Sequence, residues 1–313
     1  MSRTSRTALA AVISSSLYAA ALWLAPVTTP LVIFVPLPAL ILVTQEPAAV
    51  CALWFALSTS VIAMGLGAAA ACGFVLPLAL PTLAVTFGIR RFWSFERTAL
   101  AGIACWTLGV VGVSLLAFGN VETLIASARE QLMHSFDLAI STSGSIGASP
   151  NAVAAVEAER DVVVLGLLEL LPALVILTGT LTIIANLVLF RSWTGISSNV
   201  NLRLWRTPDA LIWGLIAAGF AMFVPTYPAA VVARNVFVVL LGCYFCQGLA
   251  IVSYYLDRFR LPRGIQVAGY VLITVQHVVA AMVLALGVFD LWGNFRRLGV
   301  DGPAEIPFNS DGE

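Results

Sequence analysis

The sequence predicts an all-α fold: a polytopic transmembrane helix bundle of eight or nine spans with an amphipathic extracytoplasmic helix. Composition carries the first half of that reading. Of the 313 residues 60% are hydrophobic and only 10% charged, with a mean hydropathy of +0.98, whereas soluble chains carry roughly a quarter charged residues. Apolar runs bounded by Arg then recur along the chain, close to the about 20 residues that cross a hydrocarbon core of about 30 Å. Sixteen cations balance sixteen acids, and every cation is Arg, because the chain has no Lys. Zero net charge leaves no basic excess for a nucleic-acid backbone. Without Lys there is no Walker lysine, Schiff base or lysine general base, so any ATP hydrolysis belongs to a partner.

Nine runs stand out in order. The first, about Ala8 to Leu24, follows Arg3 and Arg6 and reads as an uncleaved first helix rather than a signal peptide. The second, about Pro30 to Thr44, carries Pro30, Pro36 and Pro38. Proline removes backbone donors, so this run is either a broken span or a re-entrant segment. The third covers about Ala48 to Ala71, the fourth Gly73 to Ile89 and the fifth Thr98 to Phe118, with Arg90, Arg91 and Arg97 between the last two.

Residues 120–160 interrupt the apolar pattern. Val121, Leu124, Ile125, Ala128, Leu132, Phe136 and Ile140 recur at helical steps between charged residues, which predicts an amphipathic helix. Ser141 to Pro150 reads as a Ser/Gly loop. The sixth run lies within Asp161 to Phe190, the seventh within Pro208 to Val224, the eighth within Asn235 to Leu256 and the ninth within Ile265 to Phe289. The expected organisation is thus N-terminal membrane helices over 1–119, the extracytoplasmic element over 120–160, C-terminal membrane helices over 161–297 and a disordered acidic tail over 298–313. Most Arg clusters fall on one side of such a bundle, so the positive-inside rule predicts a cytoplasmic N-terminus in a bacterial inner membrane. Arg296 and Arg297 break the alternation, and this keeps both eight and nine spans open.

Several strings resemble the YybS-like family of predicted bacterial membrane proteins, a domain of unknown function. They are Pro36-Leu37-Pro38, Gly88-Ile89-Arg90-Arg91, Leu204-Trp205-Arg206-Thr207-Pro208-Asp209, Tyr244 to Ala250, and Leu286 to Trp292 with Phe295-Arg296. More distantly the family resembles the S components of energy-coupling-factor transporters and the MreD-type morphogenesis proteins. The first likeness implies a substrate-binding subunit that docks through small-residue stripes. The second implies a scaffold for envelope proteins. Neither brings a catalytic residue.

Polar groups inside apolar runs are costly and mark candidate sites. Gln247 in the eighth run and Gln276 with His277 in the ninth can bind a small polar ligand or hydrogen-bond helices together. Asn186 in the sixth run has the same two readings. Glu169 precedes Pro172 and is either a proton or cation site or a headgroup-level residue; Arg234 either binds an anion or snorkels. Ala63, Gly67 and Ala71 place small groups every four residues, for internal packing or for docking a partner subunit. Asp290 and Arg296 mark a membrane exit, where they can pair with each other or meet a partner. Cys243 and Cys246 lie within an apolar run without a second ligand pair, which speaks for packing over metal or redox chemistry. With only His134 and His277 there is no zinc-protease pattern, and Gly147-Ala148-Ser149 lacks a base. The sequence therefore points to no enzyme, metal or cofactor. The partners expected are the lipid bilayer, a small-molecule ligand and membrane or cytoplasmic subunits.

Overall fold

In a computed structural model, the described residues are 3–24, 29–44, 46–145, 149–194, 202–224 and 226–296. Among them every regular element is helical. The chain divides into two compact units, Met1–Ser197 and Ser198–Glu313, so the boundary falls inside the block expected over 161–297. The acidic tail expected over 298–313 lies outside the described residues.

The first unit begins with α1 (Arg3–Trp23), whose buried face carries Ala10, Ala11, Ser14, Ser15 and Tyr18. The proline-rich run follows as a tight helical turn, Thr29–Phe34, and a short helix α2 (Leu37–Val43). Pro36 precedes α2 and Pro38 sits in its first turn, where a missing N–H costs nothing. Neither piece is long enough to cross a bilayer alone. Both pack on α1 and on the helix Leu171–Thr194, with Val35, Ala39 and Leu40 buried.

Helix α3 (Ala48–Leu66) stops at Gly67, whose φ of 89° lies in the left-handed region open to glycine. The expected run to Ala71 is thereby divided. Ala68 opens a second 23-residue apolar stretch made of α4 (Ala68–Phe74), a widened turn Val75–Ala79 and α5 (Leu80–Arg90). Pro77 explains the widening, because it lacks the N–H that a regular turn would use. The displaced Leu76 carbonyl lies where a Cβ on Gly109 would be, so helix α6 (Phe95–Phe118) approaches only because residue 109 has none. Ser94 caps α6, its Oγ accepting from Arg97 N at 3.3 Å. Gly179 on α10 (Leu171–Thr194) gives the same relief to the Trp106 ring. Tyr18, Trp54 and Phe74 fill the core, with ring centroids of Tyr18 and Phe74 5.5 Å apart.

Helix α7 (Val121–Ser145) forms where the periodicity predicts it, capped by Asn120 Oδ1, which accepts from Thr123 N at 2.8 Å. Its apolar residues Val121, Ile125 and Leu138 remain exposed. The Ser/Gly loop starts later than expected. Ser141 and Thr142 turn their hydroxyls back to the Leu138 carbonyl at 2.9 and 2.8 Å, and the helix continues to Ser145. Residues 146–148 of that loop lie outside the described residues. Helices α8 (Pro150–Ala158) and α9 (Arg160–Glu169) return along α7, where Arg160 pairs with Asp137 at 2.7 Å.

The second unit comprises α11 (Leu211–Ala221), α12 (Ala229–Arg258), α13 (Arg263–Val275) and α14 (His277–Gly293). Helices α12 and α14 meet at Gly248 and Gly287. A Cβ on Gly248 would strike the Val283 carbonyl, and one on Gly287 the Tyr244 carbonyl. This is backbone-to-backbone packing of the small-residue kind. The ninth apolar run does not form one helix, since α13 and α14 bend by 101° at Gln276.

By length and composition five helices among the described residues are able to cross a membrane, or six if the bent pair is one span, against the eight or nine expected. The difference has three physical sources. Helix α1 carries two Arg and several hydroxyls, the second run is broken by proline, and α11 has 11 residues.

Candidate functional site

Two polar clusters stand out, one inside each unit. The second unit's cluster ties the end of α14 to α12 and to the loop before α11. Asp290 occupies the last turn of α14, and Asn294 then takes the left-handed conformation, with its N–H returning to the Asp290 carbonyl at 3.0 Å. That turn brings Arg296 back on Asp290, Nη2 to Oδ2 at 2.7 Å, with side chains 0% and 2% exposed. Phe295 N donates to the other carboxylate oxygen at 3.0 Å. Gln247 Nε2 donates to Asp290 Oδ2 at 3.1 Å. The Gln247 carbonyl oxygen accepts from Thr207 N at 3.0 Å and from the Thr207 hydroxyl. Arg296 Nη1 also donates to the carbonyls of Arg203 and Trp205, at 2.8 and 2.9 Å. A buried charge pair is tolerated when its remaining hydrogen-bonding capacity is met, and here backbone groups meet most of it.

The first unit's cluster surrounds the broken segment. Where the helix stops, carbonyls lose their intrahelical partners. Asn186 Nδ2 reaches the Ile33 carbonyl at 2.6 Å, and Ser14 Oγ reaches the Val35 carbonyl at 3.0 Å. Asn186 is 1% exposed, and among the described residues its Oδ1 has no hydrogen-bond partner; the same holds for the hydroxyls of buried Ser15 and Thr182. Buried polar atoms are rarely left unmet. The free capacity of this cluster is an amide oxygen and two hydroxyls; in the second unit the buried Tyr244 hydroxyl and Arg296 Nε are likewise unmatched among the described residues. At the N-terminal end of α1, Arg3 and Arg6 pair with Glu46 at 3.3 and 3.5 Å.

The expected ligand residues are divided between the two units. Gln247 is 1% exposed and engaged by Thr207 and Asp290. Gln276 and His277 are exposed at the bend between α13 and α14. Asn186 and Glu169 belong to the first unit, Asn186 in the cluster above and Glu169 half-buried at the end of α9. Arg234 is half-buried in the first turns of α12, where its Nε donates to the Ala230 carbonyl at 3.4 Å. Of the docking residues, Asp290 and Arg296 are buried against each other rather than presented outward. Ala63 is half-buried, Gly67 exposed and Ala71 7% exposed.

Sequence alone does not mark Thr207, Ser14, Thr182 or Glu46 as site residues, and it gives Ser15 only as part of a small-residue spacing with Ala11 and Ala19. Thr207 had a signal, because three strings that carry the family resemblance, around 204–209, 244–250 and 286–296, converge on the ionic cluster. A Ser or Thr in an apolar helix usually returns its hydroxyl to its own backbone, as Thr178 and Thr180 do, so Thr182 looked ordinary.

Five helices among the described residues, or six with the bent pair, that are long and apolar enough to cross a membrane define a multi-pass helical membrane protein. Residues 12–291 match the family model described as predicted membrane protein (DUF2232), and the chain belongs to that family. No curated protein and no solved structure matches it.

Proposed function

We propose that the chain is a transporter-type, non-catalytic binding subunit of a bacterial inner membrane, holding a small polar ligand at the broken segment of the first unit and drawing energy from a partner subunit. The observation that supports this is Asn186: one end of its amide fixes the Ile33 carbonyl of the broken segment, and the other end, Oδ1, is buried and unmatched. Discontinuous helices buried within a bundle, with freed backbone carbonyls, are the usual construction of transporter sites. The ligand role moves from Gln247 to Asn186 because the Gln247 amide is already used on both sides. For the topology we take α1, the broken segment and α11 with the six candidate spans, which makes nine, or eight if the broken segment does not cross. The N-terminus is then cytoplasmic.

Native mass spectrometry of the protein in lipid nanodiscs, with minimal washing, tests the reading. A reproducible small polar adduct that disappears in Asn186→Leu and persists in Gln276→Ala is the expected result. An adduct unaffected by Asn186→Leu, or none at all, overturns it.

The scaffold reading has its own observation. Among the described residues a Cβ on Gly65 or Gly67 would meet nothing within 4 Å, and with exposed Ala68 and Ala69 these glycines form an open small-residue surface at the α3–α4 junction. Co-purification of envelope-assembly proteins lost in Gly65→Leu, with no ligand, would favour it.

A further inference from the structure

We infer that the second unit carries a binding site for one anionic phospholipid, its acyl chain lying in an apolar groove between α12 and α14 and its phosphate held by the arginines at the α12–α13 turn. The groove has a volume of about 480 Å³, and its lining includes Ile251, Val252, Tyr255, Phe259, Leu286 and Phe295. Its shape is set by hydrogen bonding rather than by chance contact, since Tyr255 donates its hydroxyl to the Phe295 carbonyl at 2.7 Å. Tyr255 and Phe259 stack with ring centroids 6.0 Å apart, and Phe259 is 67% exposed. Aromatic side chains of this kind gather at the headgroup level of a bilayer, where one end of a groove meets water.

Charge selects the occupant. Arg258 and Arg260 flank Phe259, and Arg263 opens α13; all three are exposed. Asp257 beside them is already neutralised by Arg203 at 2.6 Å, and from there to Asp290 the sequence contains no carboxylate. Asp290 in turn is held by Arg296. Among the described residues the turn therefore presents cationic groups with no acid of their own. Arg260 is held at φ 49°, the left-handed position after a helix where glycine is the usual residue, by Arg260 N to the Asp257 carbonyl at 2.8 Å and Leu261 N to the Leu256 carbonyl at 3.1 Å. That backbone costs a side-chain-bearing residue free energy, which a guanidinium needed at this point would justify. Helix α13 starts with no acidic residue in its first turn and no side-chain cap, so its free N–H groups and Arg263 both favour an anion. A phosphate diester above an apolar groove satisfies all of these at once, and basic pockets between membrane helices bind anionic headgroups for the same reason.

The test is native mass spectrometry of the full chain in detergent titrated with phosphatidylglycerol or phosphatidylcholine of identical acyl chains. The wild type should retain one phosphatidylglycerol in preference to phosphatidylcholine. The combined variant Arg258→Gln, Arg260→Gln, Arg263→Gln should lose that preference by about tenfold or more. Val252→Trp, which fills the groove and leaves the arginines in place, should weaken retention of both lipids, with circular dichroism confirming an intact helical fold. Glycerol phosphate without acyl chains should not compete; if it does, the site is one for a free phosphate ester and the lipid assignment fails. Equal retention of the two lipids by wild type, or an unchanged preference in the triple variant, also overturns it. So does a protein that occupies the groove to the exclusion of lipid.

Discussion

Arg296 and Asp290 approach to 2.7 Å across the end of α14, with side chains 0% and 2% exposed. Their pairing is possible only because Asn294 adopts the left-handed conformation and reverses the chain. Through Gln247 and Thr207 the same pair fixes α12 and the segment before α11.

Removing one member of this pair should be far worse than removing both. Asp290→Ala or Arg296→Ala leaves an unmatched buried charge and should each destabilise by about 3 to 5 kcal/mol. The double substitution Asp290→Leu, Arg296→Met should cost less than the sum of the singles. Denaturant or thermal unfolding in detergent, arranged as a double-mutant cycle, measures the difference. Additive losses would show that the pair does not act as a unit.

The α12–α14 contact predicts a steep dependence on side-chain size. Gly248→Leu and Gly287→Val place atoms where carbonyl groups already lie, so both should abolish recovery of monodisperse protein. Gly269→Ala on α13 meets nothing within 4 Å and should be neutral or stabilising by up to about 1 kcal/mol. Size-exclusion profiles after extraction compare the three directly.

Gly109 and the widened turn at Pro77 are one arrangement. Gly109→Ala should cost about 1 to 3 kcal/mol, because the Leu76 carbonyl cannot withdraw without disturbing the turn that Pro77 imposes. If Pro77→Ala lets the helix regularise, the Gly109→Ala penalty should shrink in that background. Equal penalties in both backgrounds would separate the two features.

Helix capping gives a smaller effect. Ser94→Ala removes the acceptor for Arg97 N and should lower stability by about 1 kcal/mol, whereas Ser94→Asp should keep it. Thermal melts of the two variants distinguish loss of the cap from a general effect at that site.

The membrane class, the proline break at 29–43 and a helix over 121–140 are legible because each rests on local chemistry: apolar run length, a missing N–H, and periodicity; the continuation of that helix to Ser145 is not. The pairing of Asp290 with Arg296 was also within reach, since both lie at one helix end. Gln247 reads from sequence as a ligand group or an interhelical tie, but its partner Thr207 lies 40 residues earlier and only tertiary structure joins them. The bend at Gln276 had no proline or adjacent glycine to announce it. Asn186 showed its residue type but not that a freed Ile33 carbonyl, 153 residues away, would claim half of its amide.

The bend at Gln276 has a consequence for depth. Helix α13 ends and α14 begins around one residue, with Gln276 N bonded to the Leu272 carbonyl at 2.8 Å and Ala280 N to the Gln276 carbonyl at 3.0 Å. The last carbonyls of one helix and the first N–H groups of the next are therefore released together, and opposite ends of two macrodipoles adjoin. Hydrocarbon supplies no partner for such groups, so they require water, headgroups or protein. The 17 residues of α14 rise about 26 Å, close to a full crossing, while α13 with its 13 rises about 20 Å. A spin label or water-sensitive fluorophore at position 277 therefore separates a bend met by water or headgroups from one met by protein at depth, and the remaining helices can be ruled against it.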